Sequence, residues 1–158
     1  MNWHIPDALV LAADRITQIL YRISGGRLGE KQLHYSMLLL HSSGRKSGHV
    51  RTHTLLYFRD SENLVVCASN NGSPHLPAWY LNLQAHPRVW VQHGRARREV
   101  IAQTVGPEER ERLWLMLLKV RPQYADYQKH TTRVFPLVML KPLPGEEHSA
   151  AHQEGIPA

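Results

Sequence analysis

Three cationic side chains lie close together in the middle of the chain, at Arg45, Lys46 and Arg51. The surrounding stretch, residues 42–52, also carries two glycines and four hydroxyl side chains, Ser47 among them. Arginine offers a bidentate fork and lysine a point charge to phosphate or carboxylate, while glycines allow backbone N–H groups to turn toward an anion. The pattern predicts an anion-binding loop, with a solvated basic hairpin as the alternative. It lacks the order G-x-x-x-x-G-K-[ST] of a nucleotide-binding P-loop.

A second stretch, residues 68–80, runs from the end of a predicted strand through small polar residues into a predicted helix. Ser69, Asn70, Asn71 and Gly72 form the loop, and Trp79 follows near the start of the helix. Such a loop lets a flat ligand approach the backbone, and a helix N-terminus favours negative charge. The alternative is an ordinary connection with the tryptophan in the core.

Tyrosines form the third group of candidates. Tyr124 and Tyr127 are three residues apart, so they share one face of a predicted helix. Tyr57 lies on a predicted strand that can bring it to the same space. Two interpretations are open from the residues alone: core packing with satisfied hydroxyls, or phenols that donate a hydrogen bond to a substrate.

The elements that must position these groups follow from periodicity and turn residues. An amphipathic helix is predicted at residues 6–24, and further helices at 78–86, 107–120 and 122–132. Strands are predicted at residues 35–41, 50–59, 64–69, 88–93, 96–105 and 134–140. Strands mostly in hairpins with helices around them predict an α+β domain, an antiparallel sheet or small barrel. We expect one domain at residues 1–143 and a flexible polar tail at 144–158.

Composition narrows the class of protein. The chain has 158 residues, a net charge of +6 and one cysteine, Cys67, which is expected to be buried and inert. No apolar run approaches the ~20 residues of a membrane span, and no secretory signal is visible, so a cytoplasmic location is expected. No metal site is expected, because His49 and His53 have no further ligands near them. Nucleic-acid binding is not expected, because the densest basic segment lacks aromatic residues.

Taken in order, these motifs resemble the deazaflavin-dependent nitroreductase and quinone reductase family of small split-barrel reductases. The resemblance covers residues 35–142, about two thirds of the chain. It is carried by Leu-Leu-Leu-His-Ser-Ser-Gly-Arg-Lys-Ser-Gly at 38–48, Arg-Thr at 51–52, Ala-Ser-Asn-Asn-Gly at 68–72, Pro-Ala-Trp-Tyr-Leu-Asn-Leu-Gln-Ala-His-Pro at 77–87 and Tyr-Ala-Asp-Tyr-Gln at 124–128. It implies a split β-barrel of about six mostly antiparallel strands with flanking helices, coenzyme F420 as cofactor, and reduction of quinones or nitro compounds.

The resemblance also implies roles for single residues. The phosphate and acidic tail of the cofactor would be held by Arg45, Lys46, Ser47 and Arg51. The deazaflavin ring would be lined by Ser69, Asn70, Asn71 and Gly72, above a helix shaped by Trp79, Tyr80 and Asn82. The catalytic candidates beside the acceptor are Tyr127, Tyr124 and Tyr57. Asn70 stands where some relatives have lysine, and His53 and Thr54 stand where a small residue and a proline are common, so a different acceptor pocket is expected.

The sequence thus predicts an oxidoreductase that passes hydride from reduced coenzyme F420 to a small organic acceptor, a quinone or a nitro compound. A flavin mononucleotide (FMN) reductase of the same fold and a non-catalytic cofactor-binding module are the alternatives. The N-terminal helix is expected to pack on the barrel or cover the acceptor pocket, with weak peripheral membrane contact as the alternative.

Overall fold

The structure, a computed structural model, describes residue 19 and residues 36–144. Its strands are β1 (Met37–Ser43), β2 (Val50–Asp60), β3 (Asn63–Cys67), β4 (Arg88–His93), β5 (Ala96–Thr104) and β6 (Leu137–Pro142). Its helices are α1 (Ala78–Ala85), α2 (Pro107–Val120) and α3 (Gln123–Lys129), and a single 3-10 turn lies at Asn70–Gly72. None of the helices in the described part of the chain is long and apolar enough to cross a membrane.

The six strands close into a barrel in the order β1-β2-β3-β6-β5-β4, and β4 pairs with β1 to complete it. Every neighbouring pair is antiparallel. The predicted α+β split barrel of six strands with flanking helices is therefore confirmed.

Alternating side chains place the first core inside the barrel. On β4, Val89 and Val91 point inward and are buried, while Trp90 between them is 41% exposed. The inner face is completed by Leu38, Leu40, Leu64, Val66, Val100, Ala102, Val138 and Leu140. Tyr80 and Leu83 of α1 belong to the same cluster, so this helix closes the barrel interior. Each fully buried valine or leucine contributes about 1.5–3 kcal/mol.

A second core lies outside the barrel, under α2 and α3. Leu113 and Leu117 of α2 pack with Tyr124 of α3 against outward-facing residues of β2, β3 and β6. Arg112 of α2 donates two hydrogen bonds to the carboxylate of Asp60, at 2.9 and 2.7 Å. The Arg112 hydrogen bond lowers the pKa of Asp60 below its ordinary value. The ion pair attaches α2 to the β2–β3 hairpin.

The barrel opens along one edge of β2. This strand pairs with β1 over residues 50–56 but with β3 only over residues 57–60. Tyr57 N–H donates to the carbonyl of Ser36 at 3.1 Å, so odd-numbered residues of β2 turn their backbone groups toward β1. The N–H and C=O groups of Thr54 and Leu56 consequently face the other side, where no strand of the described residues pairs with them. This opening is the split of the barrel.

Several predicted boundaries need correction. The strand predicted at 134–140 begins only at Leu137, since Pro136 has no N–H to contribute to a ladder. The helix predicted at 122–132 is shorter, Gln123–Lys129, and the first strand is shifted to Met37–Ser43. Of the helix predicted at 6–24 only Ile19 is described; it is helical, and its side chain is exposed. The rest of that helix and the tail after residue 144 lie outside the described residues.

Candidate cofactor and acceptor site

The basic loop, residues 44–49, is a tight turn closed by its own backbone. Gly44 N–H donates to the carbonyl of His49 at 2.8 Å, and Gly48 N–H donates to the carbonyl of Gly44 at 2.7 Å. Gly48 has φ of +69°, a conformation that glycine adopts without strain. The turn leaves Arg45 and Lys46 exposed at its tip.

Helix α1 fixes the orientation of this loop. Asn82 is only 4% exposed, and its Oδ1 accepts from the backbone N–H of Arg45 at 3.1 Å and from the Arg45 guanidinium at 3.4 Å. A buried amide that accepts two hydrogen bonds is well satisfied, so it holds its partner firmly. The loop that carries two of the three cations is thus tied to the helix that closes the barrel.

A basic groove lies beside the loop, with a volume of about 220 Å³. It is lined by Gly44, Arg45, Lys46, Ser47, Arg51, His53, Ala78 and Asn82. The lining contains three cations and no carboxylate, which is the chemistry of an anion site. The structure therefore brings together the four residues expected to hold the phosphate and the acidic tail.

A larger cleft of about 450 Å³ lies at the split of the barrel. Its lining comes from β2, the end of β3 and its following turn, the start of α1, and α3: His53, Thr54, Leu55, Leu56, Cys67, Ser69, Asn70, Asn71, Leu76, Pro77, Ala78, Trp79 and Tyr124. His53 and Ala78 line both the cleft and the basic groove. The two cavities therefore form one elongated site, cationic at one end and mixed apolar and polar at the other.

The wall of the cleft after β3 is built from left-handed backbone. Asn70, Asn71 and Gly72 have φ of 49°, 53° and 81°. Asparagine tolerates this region better than most residues, and the side-chain amide of Asn70 stabilises the loop by donating to the carbonyl of His75 at 3.0 Å. A Cβ on Gly72 would come within 2.8 Å of the carbonyl oxygen of Tyr127. Glycine is thus required where this segment, residues 68–73, which we call the asparagine loop, meets α3.

Arg133 holds the asparagine loop from the side of α3, a role that no sequence motif indicates. Its guanidinium donates to the carbonyls of Ala68 at 3.0 Å, Ser69 at 2.8 Å, and Ser73 at 2.9 and 3.2 Å. These partners lie 60 or more positions away in the sequence, and they are backbone atoms, which no motif reveals. Partial burial lowers the pKa of Arg133 from its ordinary value.

The three candidate tyrosines occupy different places. Tyr124 lines the cleft and is 6% exposed. Tyr127 packs its ring against that of Tyr124, with centroids 5.5 Å apart, and is not among the residues that line the cleft. Tyr57 lies inside the barrel, where its ring meets His93 edge-on at 5.3 Å. The expectation that all three face one space is wrong for Tyr57, because it belongs to the part of β2 already paired with β3.

Tyr80 also lies away from the predicted position. Its hydroxyl is within hydrogen-bond distance of Thr104 Oγ1, at 3.2 Å, and accepts from Gln84 Nε2 at 3.2 Å. It lines a separate cavity beside the start of α2. Neighbouring residues on a helix point about 100° apart, so Trp79 can reach the cleft while Tyr80 cannot. Asn82, the third residue predicted on this helix, lines the basic groove.

Burial determines the protonation state of two side chains that line the cleft, Tyr124 and Cys67. Burial raises the pKa of Tyr124 above its ordinary value, while the charge of Arg121 and a hydrogen bond with Ser69 oppose the rise. Burial also raises the pKa of Cys67 to about 12, against the opposing charges of Arg110 and Arg133. Both groups therefore keep their protons at neutral pH. Arg121, itself 5% exposed, is a second arginine near the site that the sequence did not indicate.

The residues present fit a flat cofactor that carries an anionic tail. The groove supplies cations and the cleft supplies the backbone groups of Thr54 and Leu56 at the free edge of β2. The hydroxyl of Thr54 is buried, and within residues 36–144 it has no hydrogen-bond partner.

Comparison with known proteins identifies the family. The profile of the F420H(2)-dependent quinone reductase family matches residues 13–142. An F420H(2)-dependent quinone reductase of Mycobacterium tuberculosis is 36% identical over 130 residues, which are 80% of this chain and 87% of the relative. The solved structure of the F420-H2 dependent reductase FDR-A has a TM-score of 0.62 at 33% identity, covering 67% of this chain and 94% of that chain. Another structure, described as a domain-swapped dimer, has a TM-score of 0.64 at 30% identity, covering 87% of this chain and 100% of that chain.

The chain belongs to the F420H(2)-dependent quinone reductase family. It is an oxidoreductase whose cofactor is coenzyme F420. The family resemblance, the enzyme class and the cofactor predicted from the sequence are confirmed.

Proposed function

We propose that the basic groove holds the phosphate and acidic tail of coenzyme F420 and that the cleft holds its ring together with a quinone. Arg45, Lys46 and Arg51 would bind the anionic end, with Ser47 as a neutral donor. The wall of the cleft would be formed by Ser69, Asn70 and Asn71, with Trp79 on the helix below. The observation that carries the proposal is the continuity of the two cavities through His53 and Ala78.

When bound and reduced, the cofactor supplies a hydride. The protein's part is to orient the two partners and to stabilise the charge that develops on the acceptor. Tyr124 is the tyrosine that lines the cleft, and its raised pKa keeps the hydroxyl protonated. It would donate a hydrogen bond to the acceptor oxygen that gains negative charge. The nitro group is planar and also carries such an oxygen, so the proposal extends to aromatic nitro compounds as acceptors.

Cofactor choice follows from charge. FMN has a phosphate but no long acidic tail, so it would leave part of a groove with three cations unused. We expect coenzyme F420 to bind more tightly than FMN at low salt, and the difference to narrow as salt screens the exposed cations. Fluorescence titration of the purified protein with both compounds measures this. Equal affinity at low salt would remove the assignment of the groove.

Mutation of Arg51 tests the same assignment of the basic groove to the anionic end of the cofactor. Arg51 is fixed in β2 at the groove, so Arg51→Ala should weaken binding of coenzyme F420 by about 2 kcal/mol if a charge-assisted contact is lost. Arg59→Ala is the control, because Arg59 lies on the same strand and lines a different cavity. Both variants remove one positive charge. An equal loss in the two variants would indicate a general charge effect and not a site.

A further inference from the structure

We infer that Arg133 is a positioning residue for the reaction, because it locks the asparagine loop against the helix that carries Tyr124. The inference rests on the proposed function, since it assigns the loop to the cofactor side of the cleft and Tyr124 to the acceptor side. Arg133 is not among the residues that line the cleft, so it would act through the groups it holds.

The first part of the argument is the set of hydrogen bonds to the loop. Nη1 of Arg133 bonds the carbonyl of Ala68, Nη2 bonds those of Ser69 and Ser73, and Nε bonds that of Ser73 again. The two ends of the loop are thus joined through one rigid, planar group. Lysine cannot reproduce this geometry, because its ammonium is a point charge on a flexible stem.

The second part is the attachment of Arg133 to α3. The side-chain amide of Gln128 donates to the carbonyl of Arg133 at 2.8 Å and to that of Thr131 at 3.1 Å. The backbone N–H of Arg133 donates to Thr131 Oγ1 at 3.1 Å, and its guanidinium lies 4.9 Å from the centre of the Phe135 ring. The backbone of Arg133 is therefore held by α3 while its side chain holds the loop.

The third part is what this link positions. Between the two clamped ends, Asn70 and Asn71 occupy left-handed backbone that an unrestrained loop populates sparsely. Gly72 packs against the backbone of Tyr127, so loop and helix also touch there. Ser69, at the first end, lines the cleft together with Tyr124. Loss of the clamp would let the wall and the Tyr124 hydroxyl move relative to each other, while the basic groove would stay intact.

Arg133→Met and Arg133→Lys test the inference, with Arg110→Met as the matched control. Arg110 also donates to a backbone carbonyl, that of Phe135 at 3.1 Å, and stacks on an aromatic ring, but it lines a different cavity. We expect Arg133→Met to lower kcat about ten- to a hundredfold, since misplacement by an ångström costs that much. The dissociation constant of coenzyme F420 should stay within about threefold, Arg133→Lys should be intermediate, and Arg110→Met should change kcat less than about twofold.

Two measurements separate positioning from general stability. In a double-mutant cycle with Tyr124→Phe, the losses in kcat should be strongly non-additive, because both substitutions damage one arrangement. In hydrogen–deuterium exchange without cofactor, the amides of Gly72 and Ser73, which bond the carbonyls of Ser69 and Asn70, should exchange faster in Arg133→Met. The inference would be overturned if the kcat losses of the two single variants simply multiplied in the double variant. It would also be overturned if the exchange rates of these amides were the same in Arg133→Met and wild type.

The exchange experiment needs neither cofactor nor acceptor, so it tests the role of Arg133 separately from the proposed function. If the wild-type protein bound no coenzyme F420, the proposed function would fail while the exchange result still decided whether the clamp exists. If Arg133→Met did not fold, Gln128→Ala would carry the test, because it loosens the same link from the α3 side and keeps the guanidinium. It should accelerate exchange at Gly72 and lower kcat in the same direction, and wild-type values for both would overturn the inference.

Discussion

Tyr124 and Tyr127 differ in one respect that matters for chemistry: Tyr124 lines the cleft, whereas Tyr127 packs against the ring of Tyr124 and is not a lining residue. Tyr124→Phe keeps the ring and removes the hydroxyl, so we expect kcat to fall about tenfold or more because a donor to developing charge is lost. Binding of coenzyme F420 should stay within about twofold, since a contact made in the transition state does not report in ground-state affinity.

Tyr127→Phe is the control for that experiment and should retain turnover within about twofold. Steady-state kinetics with several quinones and nitro compounds makes the comparison. The raised pKa of Tyr124 also predicts that its ionisation will not reduce kcat below about pH 10, the ordinary tyrosine value. Full turnover in Tyr124→Phe would return this residue to a packing role.

Single residues were predictable from the sequence only where their type and spacing carried the chemistry. The cations at 45, 46 and 51 are visible as a cluster, and the structure places all three in one groove. Arg133 was missed because it acts on backbone carbonyls far along the chain. Tyr80 was expected beside Trp79 although adjacent helix positions point in different directions. Tyr57 was expected near the other tyrosines because its strand could lie nearby, but the pairing of β2 with β3 that encloses it cannot be inferred from the sequence.

At the scale of elements, Gly72 joins the asparagine loop to α3. Gly72→Ala should destabilise the protein by about 1–3 kcal/mol, because it combines positive φ with a Cβ only 2.8 Å from a backbone oxygen. Gly48→Ala is the matched control: its φ is +69°, but a Cβ would meet nothing within 4 Å in the described residues. It should cost about 1 kcal/mol. Chemical denaturation measures both, and equal losses would show that the close contact contributes nothing.

The ion pair between Asp60 and Arg112 attaches α2 to the β2–β3 hairpin, and its contribution depends on pH. The pKa of Asp60 is lowered in the folded state, so its stabilisation is present above its ordinary pKa near ~4 and is lost as pH falls through the lowered value. Since Arg112 is half exposed, we expect Asp60→Asn to cost only about 0.5–1 kcal/mol at pH 7. The difference from wild type should shrink as pH falls below the ordinary carboxyl pKa, and a difference that did not change with pH would contradict an ionic origin.

Most elements could be predicted because their boundaries are marked by local chemistry. α2 begins at Pro107 and ends at Val120 as predicted, and Val89, Trp90 and Val91 alternate inside and outside as their types suggested. The 3-10 turn at Asn70–Gly72 and the irregular segment before Leu137 could not be predicted in this way. Both are stabilised by long-range contacts, from Arg133 and from the bond between Ala68 N–H and the carbonyl of Pro136.

At the scale of the whole molecule, the site joins elements that are far apart in sequence: the basic loop, β2, α1, the asparagine loop and α3. A ligand that contacts all of them stabilises only the folded barrel. At a concentration a hundred times its dissociation constant it adds ~2.7 kcal/mol to the free energy of unfolding, which should raise the Tm by roughly 5–10 °C. Differential scanning fluorimetry at low and high salt measures this. Coenzyme F420 should raise the Tm more than FMN at equal concentration, and no shift with coenzyme F420 would argue against a preformed site.

The basic loop has a consequence for divergence within the family. It is a six-residue turn closed by two of its own backbone bonds, and it is joined to the rest of the site mainly through Asn82. The cleft meets the groove at His53 and Ala78 alone among the lining residues. If the basic loop binds the cofactor tail as proposed, substitutions in this turn can change cofactor affinity independently of substitutions on α3 that change acceptor preference. A chimaera carrying a relative's turn should shift its cofactor affinity toward that of the relative, while Arg51 on β2 keeps its own contribution and the acceptor profile stays unchanged.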